Sequence, residues 1–258
     1  MDKNTALELI KLGDLWREDP AMFVRDAFGA EPVEWQIECM RRVHKHNKVA
    51  IKSGHGVGKT TTMSWLIIWW LITRSPAKIA VTAPSGHQLE DVLWAEIGTW
   101  LRKMRPELRD MFELRKDKLV VVGREEDCFA VARTARKEKP EAFQGFHSQN
   151  MLFIVDEASG VDDIIFEVGS GAMSTRGAKT IMVGNPNRLS GYFYNAFHKM
   201  RKIWSTMTVS CLDSPIATPE YAEEQALAYG IDSNIYKIRV LGDFPDGEDN
   251  TVMKLSVV

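Results

Sequence analysis

"IKSGHGVGKTTTMSWLIIWWLIT", residues 51–73, decides how the rest of this chain is read. Gly54, Gly56 and Gly58 alternate with other residues, Lys59 and three threonines follow, and then comes an apolar run holding Trp65, Trp69 and Trp70. Two readings compete: a phosphate-binding loop feeding a buried helix, or a membrane segment behind a flexible lead. Length separates them. The strongly apolar run from Met63 to Thr73 is about half of what a bilayer crossing needs, so it reads as a core helix buried on most sides, tryptophans included. The stretch then nearly fits G-x-x-x-x-G-K-[ST]. Gly58, Lys59 and Thr60 fill its second half, while Ser53 stands where the first glycine belongs. The short β-branched run "KVAIKS" (48–53) ahead of it supplies the strand that such a loop follows.

The chemistry of such a loop is direct. Backbone N–H groups of a glycine-rich turn converge on phosphate oxygens, and the helix N-terminus adds the positive end of its dipole. The candidate nucleotide contacts are Ser53, Gly54, His55, Gly56, Val57, Gly58, Lys59, Thr60 and Thr61. Lys59 is expected on the β- and γ-phosphates and the Thr60 hydroxyl on Mg²⁺. On the loop alone, a glycine turn without a ligand stays open. "LFIVDEA" (152–158) narrows the choice, because a buried strand ending in two carboxylates places charge at the C-terminal edge of a sheet, beside the loop. Asp156 is expected to hold Mg²⁺, and Glu157 to orient and deprotonate an attacking water. In "EWQIEC" (34–39), Gln36 lies just before the first strand, where an amide could donate to and accept from adenine; a surface glutamine is the plain alternative. In "MVGNPN" (182–187), Asn185 follows a strand end, placed to sense a γ-phosphate or simply to make a turn.

Composition bounds the rest. The chain has 258 residues, 45% hydrophobic and 26% charged, enough for one large α/β domain or a core with a small appendage. A net charge of -2 rules out a global basic field, so nucleic-acid contact must come from local patches. Positive charge concentrates at 101–118 and 133–139. Cys39, Cys128 and Cys211 are widely spaced and suggest neither a disulfide framework nor a zinc site. The N-terminus reads as an amphipathic helix rather than a signal peptide.

Along the chain, helical patterns cover 1–30, 34–46, 86–104, 161–173, "SGYFYNAFHKM" (190–200) and 218–241. Asp162 and Asp163 are expected to cap the 161–173 helix. Strand patterns cover 48–53, 77–84, 118–123, 127–133, 151–158, 179–186 and 204–210. Near-continuous apolar strands alternating with helices indicate a parallel sheet covered on both faces.

Four segments in this order, "EWQ", "SGHGVGKT", "LFIVDEASGV" and "VGNP", resemble the ATPase domain of the large terminase subunits that package DNA into tailed-phage heads. "PEAFQGFHSQN" (140–150) and "IYKIRVLGDFP" (235–245) extend the resemblance over roughly residues 30–247. It implies an α/β fold, a P-loop NTPase of additional-strand type with a mainly parallel sheet and helices on both faces. It implies ATP and Mg²⁺, a ring of subunits around double-stranded DNA, a small terminase subunit, a portal protein and a place in the host cytoplasm. It matches Gln36 to the adenine reader, Lys59 and Thr60 to the phosphate and metal contacts, Asp156 to the metal acid, Glu157 to the base, and Gly184 with Asn185 to the coupling motif. The expected layout is an N-terminal helical segment (1–30), an ATPase core (31–210), a helical lid or linker (211–247) and a linker toward an absent nuclease domain (248–258). No nuclease activity is therefore expected of this chain.

Two departures bear on mechanism. Where many terminases carry an arginine in the phosphate loop, this chain has His55, and "QGFHSQN" before the acidic strand has no arginine. Arg133 and Arg136 are the candidates for a charge-stabilising arginine acting between subunits, with Arg188 as a candidate within one subunit. Two other readings stay open at this point: another P-loop DNA remodeller of helicase type, which "AVTAPSGHQLEDVLW" (80–94) would also suit, and a nucleotide-gated binding module that does not turn over.

Overall fold

The computed structural model of the chain describes residues 3–134, 147–173 and 175–247. Arg136 and the expected linker 248–258 lie outside the described residues. Within them, eight strands form one sheet: β1 (Lys48–Ser53), β2 (Ala77–Thr82), β3 (Phe112–Leu114), β4 (Lys118–Val121), β5 (Cys128–Ala132), β6 (Asn150–Val155), β7 (Lys179–Gly184) and β8 (Ser205–Val209). Their spatial order is β3-β4-β5-β2-β6-β7-β1-β8. The pairs β1–β7, β1–β8, β2–β5, β2–β6 and β6–β7 are parallel; β3–β4 and β4–β5 are antiparallel. Strand β7 stands between β1, which leads into the glycine loop, and β6, which ends before Asp156. That is the additional-strand arrangement. The parallel strands all discharge their loops at one edge, where ligands of open α/β sheets bind.

Period-two alternation sorts the strand residues onto two faces. Val49 and Ile51 of β1, Leu152 and Ile154 of β6, and Ile181 and Val183 of β7 join one buried cluster. Ala50, Met151, Phe153, Val155 and Met182 join the other. The first face is covered by α1 (Lys3–Glu18), α2 (Pro20–Phe28), α3 (Glu34–Lys45), α4 (Lys59–Thr73) and α5 (Ala95–Lys103). The second is covered by α7 (Asp163–Ala172) and α8 (Gly191–Phe197); a short α6 (Pro106–Arg109) precedes β3. Helix α4 is buried almost all round, which explains why its apolar run has no polar stripe. Its tryptophans are core residues. Trp65 meets Phe28 and Trp100, the Trp69 indole N–H donates to Trp16 O at 2.6 Å, and that of Trp70 donates to Asn150 O at 3.1 Å. No helix among the described residues is long and apolar enough to cross a membrane.

Three local readings are corrected. Residues 1–30 hold two helices instead of one, because Pro20 lacks the N–H needed to continue α1, and Asp19 caps α2 by accepting from Ala21 N at 3.1 Å. The pattern at 218–241 breaks at Gly230 (φ +85°) into α9 (Pro219–Tyr229), α10 (Asn234–Tyr236) and a π-helical turn, Lys237–Leu241. Asp162 is the N-cap of α7 without a side-chain hydrogen bond, and Asp163 instead accepts from Tyr192 N at 2.6 Å, tying α7 to α8. The three cysteines are free and buried, as their spacing suggested.

Candidate active site

The loop after β1 is shaped by two glycines. Gly56 and Gly58 have φ of +67° and +94°, a region other residues enter at a cost. The underside of the loop is fastened from α3 and α4. The Trp35 indole N–H donates to Val57 O at 3.1 Å, and Thr62 Oγ1 donates to Gly58 O at 2.9 Å. The amide N–H of Gln36 donates to Thr62 Oγ1 at 3.1 Å, while its Oε1 accepts from Val33 N at 3.0 Å. Gln36 is thus 1% exposed, its polar atoms spent on the loop and on the start of α3. Its geometry is that of a loop support lying beneath Gly58.

Lys59, the first residue of α4, folds back over the loop. Its Nζ donates to Ser53 Oγ at 3.1 Å, Gly54 O at 3.3 Å and Asn185 Oδ1 at 3.5 Å. Asn185 spans the site: its Nδ2 donates to Ser53 O at 2.6 Å, and its own carbonyl accepts from Ser159 Oγ. The loop after β1, the turn after β6 and the turn after β7 are thereby linked through one residue.

At the end of β6, Asp156 is 6% exposed. Burial, with Glu157 adding to it, pushes its carboxyl up to about 6, against the pull of Lys59 and of the Glu157 N–H, which donates to Asp156 Oδ1 at 3.0 Å. A buried carboxylate without full neutralisation favours a bound cation. Asp156 and the Thr60 hydroxyl are the side chains that would hold a divalent cation here, which would neutralise phosphate charge. Among the described residues no group of three or more His, Cys, Asp or Glu could hold a metal by protein ligands alone. Glu157 has φ +46° and ψ +46°, and glycines aside it alone has positive φ among the described residues. Strain of this kind, of order 1–3 kcal/mol, clusters at functional sites. The turn that imposes it presses on β7, since a Cβ on Gly184 would sit 2.9 Å from Ala158 N and 3.3 Å from Glu157 C. Gly184→Ala is accordingly expected to destabilise the fold by about 1–3 kcal/mol and to lower turnover by moving Glu157. Urea unfolding and phosphate release measured together check both.

The loop and Glu157 face one open cavity of about 630 Å³, lined by His55 to Thr61, Val92, Glu96, Glu157 and Asn185. Glu96 was missed in the sequence. It accepts from Thr61 Oγ1 at 2.6 Å and from the Trp100 indole N–H at 2.8 Å. The signal was present in the i, i+4 spacing of Val92, Glu96 and Trp100, which put a carboxylate on a half-buried stripe. Behind the loop, the segment after α10 acts as a clamp. His55 N donates to Arg239 O at 2.8 Å, Cys211 Sγ to His55 O at 3.1 Å, and Lys52 pairs with Asp243. Burial, Lys59 and Arg239 hold the His55 imidazole below its ordinary range, so at pH 7 it is neutral. Beside it, Gly56, Ile216, Ala217, Thr218 and Tyr221 bound a second cleft of about 230 Å³, with the Tyr221 ring stacked 6.5 Å from that of His55.

Arg133 and Arg188 sit apart from this cavity. Arg133 is exposed just after β5, its N–H donating to Val81 O at 2.9 Å, on the loop-bearing edge but across the sheet from β1. Arg188 lines a different cavity with Asn187, Asn234 and Ile238.

The fold recurs in known proteins. The family described as AAA domain matches residues 36–193. A curated protein, the "Probable terminase, large subunit" of Enterobacteria phage P7, is 26% identical over 257 residues, covering 92% of this chain and 52% of its own length. The chain thus spans about half the length of that relative. Among solved structures, the large terminase ATPase domain of Thermus phage P74-26 is similar with a TM-score of 0.66 at 15% identity, over 88% of this chain and 99% of that one. The large terminase of a thermophilic bacteriophage, in complex with ADP, has a TM-score of 0.66 at 14% identity, over 82% of this chain and 53% of that one.

Proposed function

Since this chain belongs to the AAA domain family, we propose that it is the ATP-hydrolysing part of a large terminase, a motor that moves double-stranded DNA into a viral capsid. The observation that carries this is the convergence of a glycine loop, Lys59 and a strained Glu157 on one cavity, with the buried Asp156 in the electrostatic reach of Lys59 and β7 inserted between their strands. The similarity to the phage P7 protein supports the packaging role, and the ADP bound by the terminase of the thermophilic phage supports a nucleotide here.

In this reading Lys59 exchanges Ser53, Gly54 and Asn185 for β- and γ-phosphate oxygens. Asp156 and Thr60 hold Mg²⁺, which neutralises phosphate charge when bound. Glu157 accepts a proton from water as the water oxygen attacks the γ-phosphorus and the bond to the β–γ bridging oxygen breaks. The adenine lies in the cleft beside Tyr221, over the loop that Gln36 supports. Asn185 changes partners when Lys59 does, which gives β7 and Ser159 a signal of occupancy. The working assembly is a ring around DNA with a small terminase subunit and a portal protein, in the host cytoplasm. This chain supplies the ATPase. Steady phosphate release from ATP excludes a nucleotide-gated module without turnover, and failure to displace a DNA strand separates the motor from a helicase.

Because His55 is neutral, transition-state charge must be met from elsewhere. In this reading Arg133, exposed after β5, or Arg136, which follows it in sequence, meets the γ-phosphate of a neighbouring subunit. An arginine finger contributes about 10³–10⁵ in rate. Turnover per subunit is therefore expected to rise steeply with protein concentration, and Arg133→Ala or Arg136→Ala to flatten that rise. Mixing either variant with Glu157→Ala should restore part of the activity. Concentration-independent turnover that both substitutions leave intact would move the role to Arg188.

A further inference from the structure

The edge of the sheet opposite the phosphate loop carries a charge feature that the ATP site does not use. Segments 41–48 and 198–205 together hold Arg41, Arg42, Lys45, Lys48, Lys199, Arg201 and Lys202, without one Asp or Glu, in a chain of net charge -2. The fold brings them together, since α3 ends where β1 begins and β8, which follows the second segment, pairs with β1. Between them lies an open cavity of about 710 Å³ lined by Lys45, His46, Asn47, Lys48, Arg201, Lys202, Ile203, Trp204 and Ser205.

The patch has a rigid floor. Trp204 is 3% exposed, and its carbonyl accepts from Arg201 Nη1 at 3.2 Å. Lys48 Nζ lies 5.7 Å from the centre of its ring. The Trp204 indole N–H is buried without a hydrogen-bond partner. Lys45, Arg201 and Lys202 are exposed around this floor, and Asn47 and Ser205 add neutral polar groups. Cations mixed with short polar side chains are the set that contacts a nucleic-acid backbone.

We propose that this face binds the phosphate backbone of duplex DNA, without reading its sequence. The inference rests on the motor reading above and names the surface through which that motor grips its substrate. An acidic protein segment is the competing occupant. Duplex DNA fits better because exposed cations from two separate segments border one open cavity, which suits a dense repeating charge of about one phosphate per 1.7 Å of helix axis. The position also suits a motor. Strands β1 and β8 start at the patch and end at the nucleotide site, where Gly54 N donates to Val209 O at 3.0 Å. The two faces are thus joined by a pair of hydrogen-bonded strands.

The test is binding of the full chain to a short labelled duplex of arbitrary sequence, titrated with salt. Each lost phosphate contact lowers the slope of log K against log salt by about 0.9. The combined variant Lys45→Gln, Arg201→Gln, Lys202→Gln is expected to lose about 2–3 in slope, with unchanged circular dichroism and basal ATP turnover. The control Arg105→Gln, Arg109→Gln, Lys116→Gln, in the other basic segment, should keep the wild-type slope. If the wild type binds duplex and the first variant binds it with the same slope, the proposal is overturned while the motor reading stands. If that variant instead loses self-association, the patch is an interface between copies and the proposal is equally overturned. If the wild type binds no duplex DNA at any salt, both readings fall.

Discussion

Glu157→Gln is expected to lower ATP turnover by about 10²–10⁴, the range removed with a general base, while ATP still binds within a few-fold of wild type. Glutamine keeps the length and shape of the side chain, so the turn at φ +46° persists. It removes only the capacity to take a proton. Lys59 and the loop N–H groups, which carry the binding contacts, stay in place. Asp156 also keeps its hydrogen bond from the backbone of residue 157. Nucleotide affinity by equilibrium titration, set beside phosphate release under single-turnover conditions, separates the two effects. Turnover equal to wild type would remove Glu157 from the base role and turn attention to Glu96, the other carboxylate lining the cavity.

A comparable loss, by a different route, is expected from Gly242→Ala. Gly242 closes the segment "VLGDFP" with φ +66°. A Cβ there would lie 2.6 Å from Gly54 N and Ser53 C and 2.7 Å from Ser53 Cα. Those neighbours are backbone of the phosphate loop and cannot swing aside. Left-handed strain and overpacking together are expected to cost about 2–5 kcal/mol, enough to threaten a domain of ordinary stability. Where the variant folds, its loop is displaced and ATP affinity falls. Gly29→Ala provides the contrast: φ is +62° and ψ +24° there, close to the +66° and +30° of Gly242, but nothing lies within 4 Å, so only the left-handed strain applies. Chemical denaturation of both variants resolves the difference. Equal stabilities would mean that the closing segment does not press on the loop.

The parts of the site that the sequence discloses are those encoded within a few residues. The glycines at 56 and 58 report a backbone that turns through positive φ, and "LFIV" before Asp156 reports a buried strand that ends in charge. Near-continuous apolar strands likewise indicate a parallel sheet covered on both faces, whereas the sorting of Ile51 and Ile154 to one face and Ala50 and Phe153 to the other comes with the fold. What stays hidden is contact between distant segments. Nothing local about Gly242, Arg239 or Cys211 announces that they clamp a loop nearly two hundred residues earlier, although "VLGDFP" stands out by resemblance. Gln36 shows the opposite limit: its amide suits a base edge, yet the fold directs it to Thr62 and Val33. Strand β3 has three residues, too few for alternation to register.

The central claim, that loop and acids form a site that hydrolyses ATP, is tested most directly by steady-state phosphate release from ATP and Mg²⁺ with wild type and Lys59→Ala side by side. Wild type is expected to release phosphate in step with ADP. Lys59→Ala is expected to release none above background and to bind ATP more weakly, because the charge that meets the β- and γ-phosphates is gone. A wild type that binds ATP without releasing phosphate, or a Lys59→Ala variant that releases it at the wild-type rate, would contradict the claim.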